Sequence, residues 1–205
     1  MKTTFGEIYS YDPCASGWIT LCTNKLGTEL HEEKEISIME ILTSNGIKHA
    51  VWALRTQDYR DYCLFIADVA ESVLHIFEKE CPGDMRVRDL IAGIRRWHAG
   101  DIYDEELDVL RIAAYDAVSG SISVGAEAAA RAAYSSTSQE KNEPTAEDIV
   151  ESACNASICD AIVAYAAVAG YAFTAAEANA AAASARRKQW QKIEMLLRKH
   201  LGKGE

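Results

Sequence analysis

Proline is scarce in this chain, three residues among 205, and twelve glycines leave little material for a sheet-rich fold with many tight turns. Apolar runs are short, and none reaches the roughly 18 uninterrupted residues of a membrane helix. The nearest candidate, 161–176, is mostly alanine, which contributes little transfer energy per residue. Residues 1–7 (MKTTFGE) lack the long apolar core of a secretory signal. Catalytic signatures are missing too. There is no G-x-G-x-x-G and no G-x-S-x-G, and the glycine-bracketed segment 120–125 is too short for a phosphate-binding loop and has no Lys-Ser/Thr after it. The six cysteines (Cys14, Cys22, Cys63, Cys81, Cys154, Cys159) form no C-x-x-C pair, which removes direct support for a zinc site. Buried free thiols in a reducing cytoplasm are the expectation. Positive charge is in deficit, with 21 Lys and Arg against 31 Asp and Glu and a net charge of −10. A broad nucleic-acid surface is therefore excluded, because neutralising phosphates needs an excess of cations.

Helical periodicity is what the chain does have. The first 35 residues read as irregular, with one short helical candidate at 18–26 between the punctuating Gly17 and Gly27. An acidic run with Glu29, Glu32, Glu33 and Glu35 follows. Ile36, Ile38, Met39, Ile41 and Leu42 then predict a short helix stopped at Asn45-Gly46, and a second short helix runs up to Thr56. Between 59 and 81 the stripe is clearest. Tyr62, Phe65, Ile66, Val69, Val73, Ile76 and Phe77 share one face, with Asp68, Glu71, His75 and Glu78 on the other. Pro82-Gly83 ends that helix and Asp84 is placed to cap the next, where Val87, Leu90, Ile91, Ile94 and Trp97 point inward. A two-residue breaker between two such helices implies an antiparallel helical hairpin.

Asp101, Asp104, Glu105, Glu106 and Asp108 crowd the start of a third long helix, where negative charge favours the N-terminus. Leu107, Leu110, Ala114 and Val118 mark its buried side. A break falls in 120–125, helix resumes at 126–134, and 135–144 is a polar loop. The rest is alanine-rich helix from 146 to 201. Ile158, Ile162, Tyr165, Ala169 and Phe173 form its apolar row, and an interruption is expected near Gly170 or Ala183. From Arg186 onward seven Lys or Arg meet two Glu, so a +5 final segment follows a −15 body.

Two sets of residues carry candidate function. The acidic set is Asp101, Asp104, Glu105, Glu106 and Asp108 with Glu32 and Glu33, a surface suited to a basic protein partner. His31-Glu32-Glu33-Lys34-Glu35 starts like a zinc-protease motif, but Glu35 stands where the second histidine belongs, so it reads as solvated acidic chain. The second set is Glu71, His75, Arg86, Arg88, Arg95 and Trp97, where a nucleotide-type ligand could be held by the arginines. Its structural counterpart is charge pairing between Asp68, Glu71 and Glu78 of one helix and Arg88 and Arg95 of the next. Cys63 has no histidine nearby in sequence, which argues against a nucleophile there.

Residues 67–78 (ADVAESVLHIFE), 82–89 (PGDMRVRD) and 91–97 (IAGIRRW) resemble the alanine-rich putative immunity protein family of bacteria and phages. That family pairs an A-E-x-V-L-x-x-F-E helix with a D-x-R-P-R turn and a helix ending in Trp. Glu71, Phe77 and Glu78 match the first element, and Asp84, Arg86, Arg88 and Trp97 the second, with Val87 in place of the family's proline. Residues 187–191 (RKQWQ), 5–18 and 44–55 are similar as well. The resemblance implies an all-helical, non-enzymatic protein that neutralises a toxin or, in a phage, a host defence effector. Expected, then, is an all-α multi-helix bundle with a central antiparallel helical hairpin and alanine-rich C-terminal helices. Residues 1–56 are expected as an irregular N-terminal segment with short helices, and 57–205 as a helical immunity-protein-like domain, one compact unit. The protein is expected to be cytoplasmic and without cofactor or metal. It binds a basic protein and neither nucleic acid nor membrane, and its alanine-rich surfaces suit a homodimer.

Overall fold

The structure is a computed structural model that describes residues 1–25, 31–120, 123–134, 146–169 and 174–202. Several expected features lie outside the described residues: Gly27, Glu29, the loop at 135–144, the possible stop at Gly170, Tyr171, Phe173, and the side chains of Tyr165 and Ala169. The fold is an all-α multi-helix bundle with one two-stranded sheet. Residue contacts divide the chain into two units, Met1–Tyr62 with Leu197–Glu205, and Cys63–Leu196. The divisions fall inside two helices.

The first unit departs most from the sequence-based expectation, for its opening is ordered rather than irregular. Strand β1 (Lys2–Thr4) pairs antiparallel with β2 (Glu35–Ser37), Thr3 opposite Ile36. Each strand feeds directly into a helix through a capping box. Thr4 caps α1 (Phe5–Ser10), accepting from the Glu7 N–H at 3.1 Å while Glu7 Oε2 accepts from the Thr4 N–H at 2.9 Å. Ser37 and Glu40 repeat the arrangement at α3 (Ile38–Asn45). Strands of three residues are too short to display a two-residue period, which is why the sequence does not reveal them. Helix α2 (Ala15–Lys25) starts three residues ahead of the expected 18–26, and Gly17 lies inside its first turn rather than before it. Gly46, at φ 84°, ends α3 as expected and leads into α4 (Ile47–Ala53) and a 3-10 turn, Leu54–Thr56. Phe5, Ile8, Leu21, Ile36, Ile38, Ile41, Leu42 and Val51 are buried, and Trp18 stacks edge-on to Phe5 at 6.1 Å.

The second unit takes up most of α5 (Tyr59–Glu80), then α6 (Arg86–Ala99), α7 (Asp104–Ser119), α8 (Val124–Tyr134), α9 (Ala146–Ala169) and most of α10 (Ala175–Leu201). The predicted stripes are buried except at Tyr62, which is half-buried. Phe65, Ile66, Val69, Val73, Ile76 and Phe77 on α5, and Val87, Leu90, Ile91, Ile94 and Trp97 on α6, are all shielded from solvent. Asp84 does not occupy the cap position itself. Met85 does, while Asp84 Oδ1 accepts from the Arg86 N–H at 3.1 Å one residue further out. Helices α6, α7, α8 and α9 pack in succession. Gly93 of α6 matters for the first of these contacts, since a Cβ there would sit 2.3 Å from Leu110 Cδ1 of α7. Ala126, Ala129, Ala130, Ala132 and Ala133 of α8 are fully buried, small side chains that let its neighbours approach closely.

On α9 the core is carried by Ile149, Val150, Ala153, Cys154 and Ala156, while Ile158 and Ile162 are only half-buried. The expected apolar row therefore sits too far toward the C-terminal end of the helix. Composition misleads here, because alanine satisfies either face of a helix and the stripe blurs. Helix α10 runs through Ala183 without interruption. Its basic segment is partly docked: Arg186 pairs with Glu151, and Lys192 Nζ donates to the Ser72 carbonyl at 3.2 Å. Buried Gln189 joins three helices, donating to Ser72 Oγ at 2.8 Å and accepting from Ser157 Oγ at 3.2 Å.

Candidate functional site

The outer face of α7 is built from the turn before it. Gly100, left-handed at φ 84°, ends α6, and buried Ile102 pins the connection. Trp97 Nε1 reaches across and donates to Asp104 Oδ1 at 2.6 Å. Glu106 Oε2 accepts from the Tyr103 N–H at 3.2 Å, closing the first turn, and Asp108 lies 3.2 Å from Arg111. The five carboxylates expected to meet a partner thus divide by role. Asp104 and Glu106 fasten the helix start and Asp108 has a local cation. Asp101 and Glu105 are exposed, with no ion pair among the described residues.

Between those charges lies a feature that the sequence-based expectation does not contain. Leu107, Ala114 and Val118 face the core and Leu110 is half-buried, as their spacing predicts. A second apolar set points away from them: Tyr103 is 79% exposed, Val109 66%, Ile112 61% and Tyr115 51%. Glu105, Val109, Ile112 and Asp116 follow one another at i, i+4, i+7 and i+11. They form a single stripe, apolar in the middle and acidic at both ends, with Asp108 and Tyr115 in the row beside it. Its signal in the sequence is the apolar residues at 109, 112 and 115, which fit no position of the buried stripe. Glu32 and Glu33 are exposed and belong to the other unit.

The second candidate set is drawn together as ion pairs. Arg95 donates to Asp68 Oδ1 at 2.8 Å and grips Glu71 with two nitrogens at 2.7 and 3.2 Å. Arg88 Nε donates to Glu78 at 2.7 Å, and Arg86 holds Asp84 in the turn. Along α5 these partners ascend while along α6 they descend, so the two helices lie antiparallel. Glu71, then Asp68, keep Arg95 protonated even more firmly than usual, and the Arg86 guanidinium holds the Asp84 carboxyl below its ordinary range. A phosphate would have to displace a carboxylate at each of Arg86, Arg88 and Arg95. Trp97 is buried with its indole N–H on Asp104, and His75 is exposed without a hydrogen bond among the described residues. No cluster of three metal-ligating side chains occurs among the described residues, and no described helix is long and apolar enough to cross a membrane.

One expectation about thiols is corrected. Cys63 does have a histidine, His98 Nδ1 at 3.4 Å, brought in from 35 residues away by the pairing of α5 with α6. The thiol is wholly buried, which suits a packing role.

Residues 53–138 match the family model of the Imm-5 like putative immunity protein. The matched segment contains α5, α6, α7 and α8, hence both the ion-pair ladder and the exposed stripe of α7. Residues 5–18 and 187–191 lie outside the match, and 44–55 enters it only at its last three positions. No curated protein and no solved structure matches the chain.

Proposed function

We propose that this protein is a non-enzymatic binding protein of the immunity type, and that it neutralises a basic protein effector by docking it on the outer face of α7. The effector is a toxin or, if the chain is phage-encoded, a component of host defence. The observation that carries the reading is the stripe Glu105–Val109–Ile112–Asp116 with Tyr103 and Tyr115 alongside, exposed apolar side chains inside an acidic rim. Protein interfaces are built in this way, with a desolvated centre that includes aromatic anchors and a polar margin that excludes water and steers association. The match to an immunity family over the segment containing α7, and the net charge of −10, support it.

The test uses the full chain co-expressed with candidate basic effectors, scored by cell survival and by co-purification. Ile112→Lys should abolish protection and co-purification while leaving the melting temperature unchanged, since surface substitutions of this kind stay within about 0.5 kcal/mol. Glu105→Lys should weaken association most at low salt. Protection that survives both substitutions, or thermal stabilisation by nucleotides instead of by protein, would refute the reading.

A further inference from the structure

We infer that Cys14 is a reactive surface thiol, set up by His49 and the first turn of α2 for exchange with a low-molecular-weight disulfide. Cys14 is exposed and immediately precedes α2, its carbonyl accepting from the Trp18 N–H at 2.9 Å. Its Sγ lies 3.7 Å from His49 Nε2 on α4, a residue 35 positions away, and 3.8 Å from Ser16 Oγ. The other imidazole nitrogen settles what the near one can do. Nδ1 lies 2.9 Å from the Asn45 backbone carbonyl, which only accepts, so Nδ1 carries a proton, and Nε2 is the nitrogen that faces sulfur and can take its proton. Nucleophile, base and orienting group are thus in series, the arrangement that activates a thiol.

The approach of the ring is built into the backbone. A Cβ on Gly17 would stand 2.6 Å from both Cδ2 and Nε2 of His49 and 3.0 Å from Cys14 Sγ, so any other residue there would disturb the Cys14–His49 contact. Asn45 holds the opposite side, its Nδ2 donating to the Gly17 carbonyl at 2.8 Å. The Gly17 backbone N–H, then His49 and Ser16, hold the Cys14 thiol below its usual value, whereas burial alone pushes Cys22 and Cys159 up. Cys63, which also lies beside a histidine, is sealed from solvent, whereas Cys14 is open to a reagent.

In the exchange His49 Nε2 takes the Sγ proton and the thiolate attacks one sulfur of the disulfide. A Cys14–S bond forms, the original S–S bond breaks with its electron pair on the leaving thiolate, and that thiolate takes up the proton. Cys14 is oxidised to a mixed disulfide and half of the reagent is reduced to thiol.

The full chain is treated near neutral pH with oxidised glutathione and, separately, with limiting iodoacetamide, and the modified residue is located by mass spectrometry. Cys14 should be modified first among the six cysteines. His49→Gln should slow both reactions about tenfold, as expected if the thiolate fraction falls by an order of magnitude. Gly17→Ala, which displaces the ring without removing it, should slow them in the same direction if His49→Gln proves too unstable to study, with circular dichroism confirming the fold. Modification of another cysteine first, or rates unchanged in the folded variant, would overturn the assignment.

Discussion

Arg95 shows how much one side chain can hold. It bridges Asp68 and Glu71, and removing its charge takes away the guanidinium that joins these two carboxylates, one helical turn apart. Arg88 meets a single carboxylate, Glu78, in a more exposed setting. Arg95→Gln should therefore lower the melting temperature more than Arg88→Gln, with the latter worth no more than about 1 kcal/mol as an exposed pair. Scanning calorimetry of the two variants decides it. Apolar positions are less forgiving. Phe77 is fully buried on α5, and Phe77→Ala should cost about 3–5 kcal/mol, read as a shifted urea midpoint. Both residues stand out in the sequence, Phe77 by its place in the stripe and Arg95 by its distance from the acidic face of α5. The pairing of Cys14 with His49 leaves no such trace, because it depends on the joint placement of α2 and α4 rather than on any local spacing.

At the scale of elements, long helices are legible in the amino-acid sequence and short strands are not. Helices α5, α6 and α7 repeat their apolar residues over several turns, so the spacing of those residues is enough to assign their faces. On α9 alanine on every side removes the contrast, and the fully buried residues between 149 and 156 precede the predicted Ile158 and Ile162, which are half-buried. In the first unit the informative residues are the caps rather than the apolar ones. Thr4 with Glu7 and Ser37 with Glu40 fit the S/T-x-x-E pattern of a helix start. Ser37→Ala should cost about 1 kcal/mol of stability, measurable by chemical denaturation. Glu40 and Glu7 carry a pH signature as well. The backbone N–H and then the hydroxyl of Ser37 hold Glu40 below its usual range, and the Thr3 hydroxyl and then the Thr4 N–H do so for Glu7. A carboxyl depressed in the folded state adds stability that is complete above its unfolded value and is lost as pH falls through the folded one. The melting temperature should therefore be flat above about pH 5 and decline through pH 4 and below, with a shallower slope in Glu40→Gln.

Over the whole molecule the charge is divided, acidic through residue 185 and basic beyond it. Part of the basic segment is already engaged through Arg186 with Glu151 and Lys192 with Ser72, while Arg187 and Lys188 stay exposed. The net field remains negative, so the capture rate of a cationic partner should fall steeply as salt is raised, while its dissociation rate changes little. Surface plasmon resonance at two salt concentrations separates these rates.

Leu197 is fully buried, and Arg198 donates to Met39 Sδ at 3.7 Å, so the final turn of α10 belongs with residues 1–62. On the ribosome that turn is synthesised only after the entire stretch 63–196. The amino-terminal unit must then wait, incomplete, while the helices of its neighbour emerge. A premature stop just before Leu197 would thus injure the unit whose larger share is made before residue 63.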